Sequence, residues 1–148
     1  MDYKTMNAQL VSLCDGVENN VTLLANASAL LWYSLEDINW AGFYIYEGGE
    51  LILGPFQGKP ACVKIPLGRG VCGTAAKEGK TLRVDNVHLF KGHIACDSAS
   101  NSEIVVPIIK NGVLFGVLDI DSPSLSRFNA DDEKGLGDFV KILEDVLK

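Results

Sequence analysis

Apolar residues recur at helical spacing along the first part of the chain. Between Met6 and Leu31 they fall three or four positions apart, which places them on one face of an α-helix. The Asp15-Gly16 pair interrupts this run, and glycine at such a point commonly ends or bends a helix. The pattern therefore predicts two helices here, or one kinked helix.

β-rich runs follow. WAGFYIYEGGELILGPF places two of them on either side of Gly48-Gly49, and EIVVPII and GVLFGVLDID flank Asn111-Gly112. Both dipeptides are signals for a tight turn between antiparallel strands, so two hairpins are predicted. Short strands are predicted over residues 61–65 and 81–84.

Two more helices and one long loop complete the pattern. PLGRGVCGTAAKEGK predicts a glycine-rich loop that leads into a short helix over 71–78, ending near Gly79. Its lysine and threonine lack the spacing of a phosphate-binding P-loop. A C-terminal helix is predicted after Asn129, and residues 85–102 form a long irregular segment of the kind that is usually functional.

This order of elements predicts the fold class. Helix, strands, short helix, loop, strands and helix are typical of an α+β domain, with a mostly antiparallel sheet and the terminal helices on one face. With 148 residues, the chain is expected to be a single domain over 1–148 with its own core.

Charge and composition exclude several classes of function. The net charge is −6 and no cluster of Lys and Arg appears, which disfavours a nucleic-acid surface. The N-terminus resembles no signal peptide, and no run approaches the roughly 18 apolar residues of a membrane span. We therefore expect a cytoplasmic protein that binds neither nucleic acid nor membrane.

The cysteines suggest thiol chemistry rather than a structural role. No CxxC pair occurs, and His88 and His93 lack zinc-finger spacing. Cys14 lies in a helical pattern and is expected to pack in the core. The other three lie in glycine- or proline-flanked segments where thiols are accessible: Cys62, Cys72 and Cys96. One could become a sulfenic acid and a second condense with it to a disulfide, although spacing does not say which two meet.

Acidic side chains gather on the last predicted strand. Alternation places Phe115, Val117, Asp119 and Asp121 on one face, and Leu114, Gly116, Leu118 and Ile120 on the other. Glu103 begins the neighbouring strand and would add a third carboxylate. Carboxylates crowded on a partly apolar surface repel, so at least one should hold its proton near neutral pH. This favours a bound cation or proton transfer over a solvated face.

An aromatic stripe lies on an earlier strand. Alternation places Trp40, Tyr44 and Tyr46 on one face. Such a stripe packs in the core more often than it lines a ligand pocket. Tyrosine hydroxyls need hydrogen-bond partners, however, so one edge of this face is expected to be polar or open.

Three strings in this chain closely resemble the free methionine-(R)-sulfoxide reductases, which are small single GAF-domain enzymes. They are GPFQGKPACVKIPLGRGVCGTA, GHIACDSASNSEIVVPI and GVLDIDS, and the resemblance runs from about Asn39 to the C-terminal helix. It implies a GAF-like fold with the terminal helices on one face of the sheet and loops forming a pocket on the other. No metal and no organic cofactor are implied.

The resemblance also implies a role for each candidate residue. Cys96 would be the nucleophile, Cys62 the resolving thiol and Cys72 an alternative or auxiliary partner. The remaining residues would bind substrate: Trp40 and Tyr44 around its methyl group and sulfur, and Glu103, Asp119 and Asp121 at the sulfoxide oxygen and the amino acid.

The implied reaction converts free methionine-(R)-sulfoxide to methionine, with thioredoxin as reductant, and the family resemblance allows a homodimer. Two other classes stay open at this point. The chain could be a GAF module that senses a small molecule without chemistry, or a redox sensor whose output is the disulfide itself.

Overall fold

Helices and strands follow the predicted order in the computed structural model, which describes residues 2–92 and 99–148. The helices are α1 (Tyr3–Cys14), α2 (Asn20–Ser34), α3 (Gly70–Glu78) and α4 (Ala130–Val146), with one 3₁₀ turn at Val87–Leu89. The strands are β1 (Trp40–Glu47), β2 (Glu50–Gly58), β3 (Lys64–Pro66), β4 (Leu82–Val84), β5 (Ser102–Lys110) and β6 (Val113–Ser122).

The strands form one antiparallel sheet in the order β3-β2-β1-β6-β5-β4. Two tight turns create its hairpins, and both have backbone in the left-handed region, at Gly48 and Gly49 and at Asn111 and Gly112. Glycine and asparagine adopt this region most readily. The predicted hairpins are therefore confirmed.

Each face of the sheet carries a different layer. Helices α1, α2 and α4 cover one face, and their apolar residues form a core with the sheet that includes Leu10, Leu31, Phe43, Leu118 and Phe139. Helix α3 and its flanking loops cover the opposite face, over a smaller cluster. The predicted α+β architecture, with terminal helices on one face, is confirmed.

Local capping fixes the ends of the helices. The side chain of Asn129 accepts a hydrogen bond from the Asp132 amide and that of Asp132 accepts one from the Asn129 amide, a reciprocal cap that starts α4. Gly79 ends α3 in the left-handed conformation. Cys14 ends α1 before Gly16, so the first apolar run forms two separate helices rather than one kinked helix.

A bulge in β6 corrects one prediction of side-chain direction. Gly116 pairs with Ile108, but Leu114 pairs with Ile109, which leaves Phe115 as an extra residue. An extra residue reverses the alternation beyond it. Phe115 consequently packs with the helical core and Leu114 with the opposite cluster, the reverse of the prediction, whereas Val117 and Leu118 face as expected.

Three smaller corrections concern strands and loops. The strand predicted over 61–65 is the three-residue β3 at Lys64–Pro66, because residues 59–63 leave the sheet as a loop. The irregular segment 85–102 contains the 3₁₀ turn, and β5 begins at Ser102. Within the described ranges, no helix is both long and apolar enough to cross a membrane.

Two glycines of α4 give a matched test of this packing. A Cβ at Gly135 would overlap the Tyr3 ring, whereas at Gly137 it would meet no atom of the described structure within 4 Å. We expect Gly137→Ala to raise the free energy of unfolding by about 0.5–1 kcal/mol, since alanine favours helix. Gly135→Ala should lower it by about 1–3 kcal/mol through overpacking. Urea unfolding of both variants checks this, and equal effects would contradict the α1–α4 contact.

Candidate active site

The sheet register brings the three predicted carboxylates together. Glu103 on β5 pairs directly with Asp121 on β6, and Asp121 pairs on its other side with Trp40 on β1. Residues that pair directly point to the same face. Asp119, two positions before Asp121, shares that face, which is the one opposite the terminal helices. The predicted neighbourhood of Glu103, Asp119 and Asp121 is therefore confirmed.

Helix α3 places a thiol against this acidic group. Cys72 lies in the first turn of α3, and its Sγ is 3.8 Å from Oε2 of Glu103. The sequence suggested an accessible cysteine, but Cys72 is only 4% exposed. The prediction of an accessible Cys72 is wrong because its glycine-flanked segment begins a helix that packs on the sheet. The thiol therefore faces inward.

Burial governs protonation here. It raises the pKa of Glu103 well above the ordinary carboxyl range, and the nearby Asp119 and Asp121 raise it further. Burial likewise raises the pKa values of Asp119 and of the Cys72 thiol, the latter with help from Asp119 and Glu103. The group thus holds protons that exposed carboxyls would lose, as the sequence predicted for crowded acids.

One acceptor in this group is unsatisfied. Oδ1 of Asp119 is buried and has no hydrogen-bond partner among the described residues. A buried acceptor without a donor costs free energy. A ligand that brings an N–H or O–H to this point would recover that cost.

The same group has the spacing of a cation site. One ligand atom from each of Cys72, Glu103 and Asp119 lies within 4.8 Å of the others. A metal ion would have to displace the protons that burial keeps on these side chains, since ligands bind metals in their deprotonated forms. The absence of a metal stays a prediction from the sequence.

Stacked aromatic rings form the other wall of the pocket. The Trp40 ring stacks with the rings of Tyr44 and Phe56, whose centroids are 5.9 Å and 5.1 Å away. The Trp40 indole N–H donates to the Lys59 carbonyl at 3.2 Å, and the Tyr44 hydroxyl donates to the Cys62 carbonyl at 2.8 Å. Tyr44 thus has the polar partner that the sequence required, whereas Tyr46 lies outside the pocket at 36% exposure.

The cysteines differ in state. Cys62 is half-buried in the loop 59–63 and is disulfide-bonded. Cys14 and Cys72 have free thiols, and Cys14 packs in the helical core as predicted. Cys96, the predicted nucleophile, lies outside the described residues, together with the rest of 93–98.

Several pocket residues were not predicted. Their backbones or side chains line the cavity beside the predicted ones: Pro60, Ala61, Ile65, Arg69, Gly70, Val71 and Ser100. Most of them flank Cys62 or Cys72 in the sequence, so the glycine- and proline-rich context of the thiols was the available signal. Phe56 carried no such signal, because its place beside Trp40 depends on the β1–β2 register.

A sheet with terminal helices on one face and a pocket under a short helix on the other defines a GAF domain, and the GAF domain model matches residues 10–145. The chain is 54% identical to the free methionine-R-sulfoxide reductase of Escherichia coli, over 98% of this chain and 88% of that protein.

Solved structures agree. The fRMsr of Staphylococcus aureus in complex with substrate is 53% identical, with a TM-score of 0.95 over 99% of this chain and 95% of that one. The free methionine-R-sulfoxide reductase of Neisseria meningitidis in complex with its substrate is 43% identical, with a TM-score of 0.94 over 97% and 86%. The chain therefore belongs to the free methionine-(R)-sulfoxide reductase family of GAF-domain enzymes.

The raised pKa of Glu103 predicts a pH dependence of stability. Unfolded, this carboxyl ionises near pH 4.5, whereas in the folded protein it keeps its proton to a much higher pH. Folding thus takes up a proton, and the free energy of unfolding falls as the pH rises above about 4.5, by up to about 1.4 kcal/mol per pH unit.

Glu103→Gln removes the carboxyl and therefore its contribution to the pH dependence of the free energy of unfolding. We expect the variant to gain stability relative to the parent between about pH 5 and pH 8, as measured by denaturant unfolding at each pH. Parallel stability curves for the two proteins would show that Glu103 is ionised in the folded state.

Proposed function

We propose that this chain reduces free methionine-(R)-sulfoxide to methionine in the pocket described above. The observation that carries the proposal is that the Glu103 carboxyl is buried beside two other acids and an aromatic wall, which raises its pKa well above the ordinary carboxyl range. A sulfoxide oxygen leaves as a neutral species only if it receives a proton, and a protonated carboxyl in apolar surroundings is a suitable donor. Two similar reductases, from Staphylococcus aureus and Neisseria meningitidis, were solved in complex with substrate, which supports the same activity for this chain.

In the first half-reaction, Cys96 attacks the sulfoxide sulfur while Glu103 protonates the oxygen. The oxygen passes to Cys96, methionine leaves, and Cys96 becomes a sulfenic acid. The substrate gains two electrons and Cys96 loses two. The Trp40 and Tyr44 rings would hold the methyl group and sulfur of the substrate.

In the second half-reaction, the Cys62 thiol attacks the Cys96 sulfur. An S–S bond forms, the S–O bond breaks and water leaves. Support comes from the state of the described cysteines, because Cys62 is disulfide-bonded whereas Cys14 and Cys72 are free. A thioredoxin-type dithiol would reduce the disulfide, and Cys72, buried against Glu103, would take at most an auxiliary part.

The acids also favour a free amino acid over a peptide. No described residue donates to the buried Oδ1 of Asp119, and Asp121 lies beside Asp119 on the same face. An α-ammonium group could donate to both carboxyls. In a peptide this group is an amide, which has lost the charge, and the residue carries further chain on both sides.

Three further proposals concern the whole molecule. We propose one GAF domain over residues 1–148 and a cytoplasmic location, where a thioredoxin-dependent enzyme finds its reductant. Exposed apolar side chains on α2, Val21, Trp32 and Tyr33, support a homodimer through the N-terminal helices.

Cysteine variants test the mechanism. In an assay of NADPH consumption with thioredoxin, thioredoxin reductase and free methionine-(R)-sulfoxide, Cys96→Ser should lose all turnover. Cys62→Ser should form one equivalent of methionine and then stop, because the sulfenic acid is not resolved. Cys14→Ala, which changes a free core thiol, is the matched control and should keep turnover.

Other outcomes distinguish the alternatives. Equal steady-state rates for Cys62→Ser and the parent would move the resolving role to Cys72. Tight binding of the sulfoxide without turnover would favour a sensing module. Disulfide formation with peroxide, but no methionine from the sulfoxide, would favour a redox sensor.

Substrate analogues test the role of the ammonium group. We expect N-acetyl-methionine-(R)-sulfoxide to be reduced with a kcat/KM at least about 100-fold lower than the free amino acid, since a charge-assisted pair to a buried carboxylate is lost. Competition kinetics with both sulfoxides measure the ratio. Comparable kcat/KM values for the two sulfoxides would show that Asp119 and Asp121 do not bind the ammonium group.

A further inference from the structure

The segment that carries Cys62 has no regular secondary structure of its own. Residues 59–63 connect β2 to β3, and three hydrogen bonds to carbonyls hold their backbone in place. The donors are the Trp40 indole N–H to Lys59, the Tyr44 hydroxyl to Cys62 and the Leu53 amide to Val63. Two of these three donors are side chains of the aromatic wall.

The last residue of β2, just before this loop, is also packed against the aromatic wall. Gly58 has a φ of +133°, and a Cβ there would lie 2.7 Å from Cδ1 of Trp40 and 2.9 Å from the Asn39 carbonyl. The backbone at Gly58 can therefore approach the indole only because it has no side chain. The Trp40 ring thus packs against the residue before the loop, and its N–H donates to the first residue of the loop.

The Tyr44 hydroxyl donates its hydrogen bond to the loop. Its 2.8 Å bond to the Cys62 carbonyl uses the only proton of the hydroxyl. Burial, with the negative charge of Asp119 nearby, raises the pKa of Tyr44, so this proton stays in place throughout the physiological pH range. The ring faces the pocket while the hydroxyl holds the peptide of the resolving cysteine.

We propose that Tyr44 and Trp40 are positioning residues for the second half-reaction, in which they hold the Cys62 loop so that its thiol meets the sulfenic acid formed at Cys96. This inference rests on the proposed function. It adds that the side chains around the substrate sulfur also set the rate of disulfide formation. The bond that forms is Cys62 Sγ–Cys96 Sγ, the bond that breaks is S–O, and water leaves.

Tyr44→Phe separates the two roles, since it keeps the ring and removes the hydroxyl. In single-turnover experiments on the reduced protein, methionine formation reports the first step, and loss of dimedone-reactive sulfenic acid reports the second. We expect the ratio of the second rate constant to the first to fall roughly two- to tenfold, the range for one lost hydrogen bond.

Tyr46→Phe is the matched control, because it removes a hydroxyl from an exposed tyrosine two positions along the same strand. Its ratio should equal that of the parent. A ratio for Tyr44→Phe that is unchanged or higher would overturn the inference, and would leave Tyr44 as a wall of the pocket alone.

A second arm does not depend on sulfoxide chemistry. Stoichiometric hydrogen peroxide oxidises a reduced thiol to a sulfenic acid and is itself reduced to water. Closure of the disulfide after this oxidation should also be two- to tenfold slower in Tyr44→Phe than in Tyr46→Phe. Equal closure in the two variants overturns the inference, whereas a parent that forms no methionine from the sulfoxide overturns the proposed function.

Discussion

Everything in the pocket depends on the burial of Glu103 beside two other carboxyls. Three ionised carboxylates at this spacing, away from water, would repel strongly, so the folded protein must retain at least one proton that the unfolded chain releases. The raised pKa of Glu103 identifies this carboxyl as the group that retains the proton. The site is consequently a source of instability at neutral pH, and it persists because the rest of the sheet is well packed. Stability given up at one place is characteristic of a functional site.

The sheet supplies the geometry that this burial requires. Trp40, Asp121 and Glu103 lie in one row across β1, β6 and β5, the central strands, where both neighbours fix the backbone. Helix α3 then closes the row from above with Cys72. Rigid strands hold the acid and the aromatic rings, whereas Cys62 lies on a loop whose carbonyls accept hydrogen bonds from Trp40 and Tyr44.

Much of this arrangement could be predicted from the sequence, because it follows from local signals. Gly48-Gly49 and Asn111-Gly112 specify their turns, and the alternation in β6 places Asp119 and Asp121 on one face. The bulge at Phe115 could not be predicted, since an extra residue is defined only by the strand opposite it. The burial of Cys72 and the place of Phe56 were missed for a similar reason. Each depends on which element packs against the residue, and spacing along the chain does not record that.

The two ends of the sheet have a consequence for the protein at high concentration. Its edge strands, β3 and β4, are three residues long, and they carry Lys64 and Pro66 on one edge and Arg83 on the other. A long flat edge offers unpaired backbone groups to a second molecule, whereas short edges with charges or proline offer little. The hydrophobic β6 lies inside the sheet, and β4 covers the first part of β5, at Glu103–Val105. Where β3 and β4 form the edges of the sheet, intermolecular strand pairing, the usual start of ordered aggregation, therefore finds only a short template.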